Sequence, residues 1–282
     1  MEDWRVKRGW FLIMVLAASA PGVGRSSQEA PPEVQELKAV LRQFKAPEWK
    51  TRRDAFHGLL RLGSGDVSYI PRPLAELLGK YPDQADEIKG GLIQLLEKEN
   101  SMVQNFAKEG QRFGEDYSNY YGDVIAAVST LKDTRSINAL VGAIATGGMA
   151  ARGLAELGPA SIDPVLRAAA NGDPLVRSSA LQVLIVIVRT APGDASTDRA
   201  RRLRIKETLL RSATDPDPSV RMSAATGLAA LGDPDGVPVL ERLAEHDPFF
   251  LPGQAEGGKD LYVVRNIANR ALSELKPKLK KE

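Results

Sequence analysis

Few side chains in this 282-residue chain have the types and spacing that catalysis requires. The two histidines, His57 and His246, are far apart in sequence, and there is no cysteine. Tetrahedral zinc or thiol chemistry therefore has no ligand set. The sequence also contains no glycine-rich phosphate loop, no G-x-S-x-G elbow and no H-E-x-x-H helix. Several aspartates fall in Asp-Pro turns, which suit helix capping. We therefore predict no catalytic residue, no metal site and no cofactor.

A Val-Arg motif followed by regularly spaced apolar residues occurs three times near the C-terminus. The copies begin at Val176, Val220 and Val264 and read VRSSALQVLIVI, VRMSAATGLAAL and VRNIANRALSEL. Small and aliphatic residues recur at spacings of three and four, which places them on one face of a helix. The residues that we expect to be buried in the second copy are Val220, Ala224, Leu228 and Leu231.

Each Val-Arg helix is followed or preceded by a second apolar helix. After Gly232, where a left-handed residue would end the first helix, the chain continues VPVLERL. Weaker copies of the same two-helix unit occur near Ala150, Leu131 and Arg52. Such pairs cannot bury their apolar faces alone, so they are expected to stack into a solenoid of antiparallel helix pairs. The alternative is an irregular helical bundle.

The consensus of these units, DPxxxVRxxAxxxLxxLGDPxxVPxL, resembles HEAT repeats, especially the short HEAT-like repeats common in bacteria. The resemblance covers residues 136 to about 277 well and 36–63 fairly well, but it is weak between 64 and 122. It implies an all-α superhelix that binds other macromolecules, and it implies no reaction. Asp215 matches the family's aspartate position, whereas the other copies have Asn171 and Lys259 there. We therefore expect the polar ladder between repeats to be interrupted.

The N-terminus has the features of an export signal. Arg5, Lys7 and Arg8 precede the short apolar run Gly9–Ala20, which ends in small residues. The predicted destination is the periplasm or the medium, although an uncleaved membrane anchor is an alternative. Predicted boundaries are a signal peptide over 1–24, a linker over 25–33, degenerate helical repeats over 34–135, HEAT-like repeats over 136–278 and a basic tail over 279–282.

Charge and insertions narrow the choice of partners. The chain has 38 Lys and Arg against 36 Asp and Glu, so we expect no nucleic-acid partner. Two insertions, TAPGDASTDRARRL and DPFFLPGQAEGGKD, are expected to form long loops. Phe249 and Phe250 in the second loop are either a partner anchor or a flap over the core. A basic cluster begins in the first insertion and continues beyond it. We interpret it as a solvated face of a helix rather than an anion site; it comprises Arg199, Arg201, Arg202, Arg204 and Lys206.

The most specific hypothesis concerns the solvent side of the Val-Arg helices. The resemblance to HEAT repeats implies that these helices line the concave face. Two short, mostly polar columns there would bind an extended or helical protein segment through hydrogen bonds; the alternative is a concave face that is only solvated. An aromatic segment offers either core packing or a second recognition patch through Tyr117, Tyr120 and Tyr121. We predict an exported, monomeric, non-catalytic scaffold; the alternative is a lyase- or isomerase-type enzyme, as occurs among HEAT-like families that act on tetrapyrroles. The two columns are Ser178, Met222 and Asn266, and Gln182, Thr226 and Arg270.

Overall fold

Helices account for nearly all regular structure in the part of the chain that the computed structural model describes, which is residues 30–64, 69–146, 148–190 and 195–279. No strand occurs in these ranges, apart from one isolated antiparallel bridge between Leu251 and Leu261. The all-α prediction is confirmed. The thirteen α-helices are α1 (Pro32–Gln43), α2 (Trp49–Gly63), α3 (Pro71–Lys80), α4 (Ala85–Lys108), α5 (Glu115–Thr130), α6 (Ile137–Gly142), α7 (Gly148–Glu156), α8 (Ile162–Ala168), α9 (Pro174–Thr190), α10 (Ala195–Ser212), α11 (Pro218–Leu231), α12 (Gly236–His246) and α13 (Val263–Leu279).

The predicted signal peptide lies outside the described residues, as does most of the linker. The last two residues of that linker, Pro32 and Glu33, form the first turn of α1. Among the described helices, none combines the length and the apolar character needed to cross a membrane.

Twelve of the helices form pairs that stack in two rows. The pairs are α1 with α2, α4 with α5, and so on to α12 with α13. The second helices stack in the order α5, α7, α9, α11 and α13, and the first helices α4, α6, α8 and α10 stack beside them. The extra helix α3 packs against α2 and α5. This insertion explains why the repeat pattern is weak after residue 63.

The core of each repeat is the apolar face that the sequence pattern predicts. In α11, Val220, Ala224 and Leu228 are fully buried, and Leu231 is nearly so. Gly232 ends this helix in the left-handed conformation at φ +75°, which favours glycine. At Gly227, a Cβ atom would lie 2.3 Å from a Leu209 methyl, so glycine permits the close approach of α10.

A buried arginine joins the second helix α11 to the following repeat. Arg221 Nη1 donates to the carbonyl oxygens of Asp215 and Pro216, both at 2.9 Å. Its Nε and Nη2 donate to the two carboxylate oxygens of Asp247 at 2.6 and 3.0 Å. One guanidinium therefore fixes the turn before its own helix and the end of α12 together. We call this arrangement the arginine clamp.

The clamp recurs at two other repeats with the same spacing. Arg177 donates to the carbonyls five and six residues before it and to both carboxylate oxygens of Asp215, at 2.9 and 2.8 Å. Arg52 does the same with its own preceding turn and with Glu99 of α4. The recurrence shows that α2 is a full repeat helix, although its sequence match is weaker.

The expected interruption of the polar ladder at Lys259 is wrong. Asp247, the first residue of the second insertion, supplies the carboxylate that Lys259 lacks. Arg265 of the next helix then donates its Nε to the Asp247 carbonyl oxygen at 2.7 Å. Asn171 occupies the other position where the aspartate is missing. Its side-chain oxygen accepts a hydrogen bond from the Asp173 N–H at 2.9 Å and so stabilises its own turn.

The first insertion is mostly helical, contrary to the expected loop. Helix α9 continues to Thr190 and α10 begins at Ala195, so the inserted residues lengthen both helices. The second insertion is a loop as expected. It is closed by paired backbone hydrogen bonds between Leu251 and Leu261, each 2.9 Å long.

The stacked core predicts that Leu228→Asp will destabilise the protein severely. Leu228 is fully buried, so the variant loses apolar burial and gains an unpaired charge, at a cost of about 4 kcal/mol or more. Leu203→Asp is the matched control, since Leu203 is 44% exposed. Thermal melts followed by circular dichroism should separate the two. A soluble Leu228→Asp variant that melts like the parent would contradict the repeat assignment.

The arginine clamp predicts a contrast between two arginine substitutions. Arg221→Met leaves Asp247, which is 4% exposed, without its cation, at a cost of about 3–5 kcal/mol. Arg270→Met removes only an exposed pair with Glu274 and should change stability by less than about 1 kcal/mol. Urea denaturation measures both. Adding Asp247→Asn to Arg221→Met should recover part of the loss, and no recovery would show that the clamp acts through packing alone.

Candidate functional site on the second-helix row

An open groove of about 440 Å³ lies across the second helices α9, α11 and α13. Four of the six predicted column residues line it, namely Ser178, Gln182, Met222 and Thr226. The other two, Asn266 and Arg270, are exposed beside it on α13, which instead contributes Ile267. We call this surface the repeat groove. The rest of its lining is Ile185, Val186, Ser219 and Ser223.

The polar character of the groove differs from the prediction. Ser178 is 4% exposed rather than solvent-facing, and its hydroxyl donates to the Leu175 carbonyl at 3.1 Å. The Thr226 hydroxyl likewise donates to the Met222 carbonyl at 3.0 Å. Both hydroxyls therefore bond to their own helix. Among the predicted residues that line the groove, Gln182 is the exposed polar group that remains available to a ligand.

Aliphatic residues that the sequence reasoning missed form much of the groove surface. Val186 is 41% exposed, and Ile185 and Ile267 lie beside it. Met222 packs partly against the core and is flexible enough to adapt to different side chains. The lining contains no charged residue and no histidine. Such a surface suits apolar side chains of a ligand and does not provide acid–base chemistry.

His57 lies on a different helix from this groove. Its Nε2 is 3.8 Å from Asp123 Oδ2, and both side chains are partly exposed. Burial raises the pKa of Asp123 above its ordinary value, although His57 acts in the opposite direction.

A second cavity of about 440 Å³ lies between α5 and α7 on the same row. Phe113, Tyr121, Ile125 and Met149 give it an apolar surface, and Met149 is 40% exposed. The aromatic segment that contains Phe113 was a signal for this position. Met149 had none, because its repeat copy lacks the Val-Arg pair.

The three tyrosines do not form an exposed recognition patch. Tyr117, Tyr120 and Tyr121 are 4%, 1% and 5% exposed, as the core-packing alternative predicted. The Glu99 carboxylate accepts hydrogen bonds from the hydroxyls of Tyr117 and Tyr120 at 2.8 and 3.0 Å. The same carboxylate accepts the hydrogen bonds of Arg52 in the arginine clamp. Tyr121 donates to the side-chain oxygen of Asn100 at 2.6 Å. Burial first, and then the Glu99 charge, raise the pKa of all three phenols.

The phenylalanines of the second insertion divide between core and surface. Phe249 packs against the core, whereas Phe250 is 43% exposed with its ring 5.6 Å from that of Tyr262. The Arg265 guanidinium lies 4.2 Å above the same tyrosine ring. Phe249 thus covers the core, as expected if the loop is a flap, whereas Phe250 lies at the surface.

The basic cluster on α10 joins neighbouring repeats. Arg202 Nη2 donates to the Leu231 carbonyl at the end of α11, at 2.9 Å. Lys206 Nζ lies 2.8 Å from Asp235 and 3.1 Å from Asp233, and Arg204 pairs with Asp163 of α8. Arg204 and Lys206 are therefore paired with carboxylates of the protein, and Arg202 bonds to a backbone carbonyl. These contacts agree with the rejection of an anion site.

Comparison with known proteins places the α10–α12 segment in a family. The family model for HEAT repeats matches residues 195–251. No curated protein matches the chain.

Solved structures with similar helical arrays are distant in sequence. A computationally designed armadillo repeat protein for modular peptide recognition is 15% identical, with a TM-score of 0.44 over 85% of this chain and 99% of that one. A designed armadillo repeat protein in complex with the peptide (KR)4 gives the same values. Human deoxyhypusine hydroxylase is 16% identical, with a TM-score of 0.24 over 87% of this chain and 97% of that one.

The matched segment contains the arginine clamp in its complete form, from Arg221 to Asp247. The pairs on either side stack on it in the same two rows, and Arg177 and Arg52 repeat its contacts. Because one unit of this array matches the family model and the others reproduce its packing, the chain is a HEAT-repeat protein.

Proposed function

We propose that this HEAT-repeat protein is a non-catalytic scaffold whose repeat groove binds an extended or helical segment of another protein. The observation that carries the proposal is the uncharged groove across α9, α11 and α13, with aliphatic side chains and one exposed amide. Val186 and Met222 offer apolar contact area, and Gln182 can pair with the polar main chain of a ligand. Exposed apolar surface of this kind is typical of interaction sites.

The groove favours binding over catalysis for a chemical reason. A lyase or isomerase needs polar or titratable groups that converge on the reacting atoms. The lining of the repeat groove has neither a carboxylate nor a histidine, and its Ser178 and Thr226 hydroxyls donate to their own helix. Because no charge lines the groove, ligand affinity there should depend little on salt concentration.

We also propose that the protein is exported and acts as a monomer. The export proposal rests on the basic start and the short apolar run Gly9–Ala20. The monomer proposal is supported by α13, whose exposed positions are polar, as at Asn269, Ser273 and Glu274. A polar outer face suits a helix that ends a stack. N-terminal sequencing after cell fractionation and light scattering of the purified protein test the two points.

Binding in the repeat groove predicts that Met222→Glu will weaken ligand capture. A phage-displayed library of random peptides, selected on the parent protein, provides the probe. The introduced charge would be desolvated by a bound apolar side chain, so selected peptides should bind about tenfold more weakly, which is about 1.4 kcal/mol. Titration with labelled peptides measures the change.

Arg270→Ala is the control for this experiment, because Arg270 lies beside the groove and pairs with Glu274. It should leave both peptide affinity and the melting temperature close to those of the parent. Equal affinity of the parent and the Met222→Glu variant would exclude the repeat groove as the binding site. If Met222→Glu does weaken binding, a photo-crosslinking residue placed at position 186 can be used to identify the native partner in cells.

A further inference from the structure

A second groove, of about 440 Å³, lies between the first helices α1 and α4. Lys38, Arg42 and Lys45 line one side. Because they occur at spacings of four and three along the chain, they lie along one side of α1 and its C-terminal turn. We call this surface the basic groove. Its other side is formed by α4 and by Arg135.

The three cations on the α1 side are available to a ligand. All three are exposed, and none has an ion-pair partner among the described residues. They differ in this respect from Arg204 and Lys206 of α10, which pair with aspartates of other repeats. A fourth cation lies close by, since Lys98 Nζ donates to the Lys45 carbonyl oxygen at 3.0 Å.

The carboxylates of the groove do not cancel this charge. Asp86 lies 2.7 Å from Arg135, which also pairs with Asp133 at 2.7 Å. Glu87 is the other acidic residue of the lining. Without counting Lys98, the lining has four cations against two carboxylates, so the groove is positive. Arg135 is paired, and the other three cations lie on the α1 side.

Two adjacent glycines in the second turn of α4, Gly90 and Gly91, form the floor. Gly91 has a packing reason, because a Cβ atom there would lie 3.1 Å from a Leu41 methyl. A Cβ atom at Gly90 would meet nothing within 4 Å, so packing does not require glycine there. Glycine inside a helix costs stability relative to alanine. Its effect at Gly90 is to leave the groove open to a ligand.

We propose that the basic groove binds an acidic segment of a polypeptide. Carboxylates of the segment would pair with the α1 cations, and an apolar side chain would contact Leu41 beside the glycine floor. A peptide is favoured over nucleic acid because no aromatic side chain lines the groove for base stacking. The surface is formed by first helices and is separate from the repeat groove on the second helices.

Fluorescence anisotropy with two labelled probes tests the proposal. One probe is a peptide of Glu-Leu-Glu repeats, and the other is its charge-swapped counterpart of Lys-Leu-Lys repeats. The intact protein should bind the acidic probe at least about tenfold more tightly, and added salt should weaken this binding. Equal affinity for both probes, or no binding of the acidic one, overturns the proposal.

Charge reversal locates the site. Lys38→Glu combined with Arg42→Glu should reduce affinity for the acidic probe by about tenfold or more. Arg61→Glu is the control for nonspecific charge, because Arg61 is exposed on α2 away from this groove. An equal loss in the control would mean that the probe responds only to net charge.

Filling the groove without changing its charge provides an independent measurement. Gly90→Phe should block the probe while the protein stays folded, because the new side chain enters open space. Gly79→Phe is the matched control, since Gly79 is also a helical glycine whose Cβ would meet nothing within 4 Å. Undiminished binding in a folded Gly90→Phe variant overturns the assignment. The choice of a peptide ligand is also overturned if a duplex DNA oligonucleotide binds the parent as tightly as the acidic probe and if Gly90→Phe abolishes that binding.

Discussion

The arginine clamp is the interaction on which the alignment of the C-terminal repeats depends. Arg177 and Arg221 each bond to the turn before their own helix and to a carboxylate of the next unit, so they set how far successive second helices are offset. The repeat groove lies directly beside these arginines, since Ser178 and Met222 follow them in sequence. A buried ion pair is a modest source of stability compared with apolar packing, but it permits few alternative alignments. The shape of the repeat groove therefore depends on the helix alignment that these ion pairs fix.

The sequence was sufficient for the helical repeat and its buried face, because spacings of three and four express helix geometry directly. It was insufficient at the insertions. The first insertion is expected to form a long loop, yet from Ala195 onward it belongs to α10, where Arg202 and Lys206 bond to other repeats. The ladder was misread for a related reason. Counting back from Val264 leads to Lys259, whereas the carboxylate that binds Arg221 comes from Asp247, at the start of the insertion.

The candidate site was predicted in part. Counting positions from each arginine located four groove residues, but it omitted Val186 and Ile267, because the groove runs obliquely across helices rather than along one column. The burial of Ser178 depends on how closely α9 and α11 pack, which no spacing reveals. The tyrosines posed a different problem. One helical face serves equally for core and surface, and only the position of Glu99 on α4 shows that their hydroxyls point inward.

The second insertion also bears on how such an array can change. Its loop leaves α12 at Asp247, held by Arg221, and rejoins α13 near Arg265, which binds the Asp247 carbonyl. The bridge between Leu251 and Leu261 closes the loop above these contacts. Both ends of the loop are thus held by contacts with the stacked helices, while the tip between them makes no contribution to the stacking. A foreign sequence grafted at this tip would be displayed on a rigid base, and the loop can lengthen or shorten through evolution without altering the repeats beneath it.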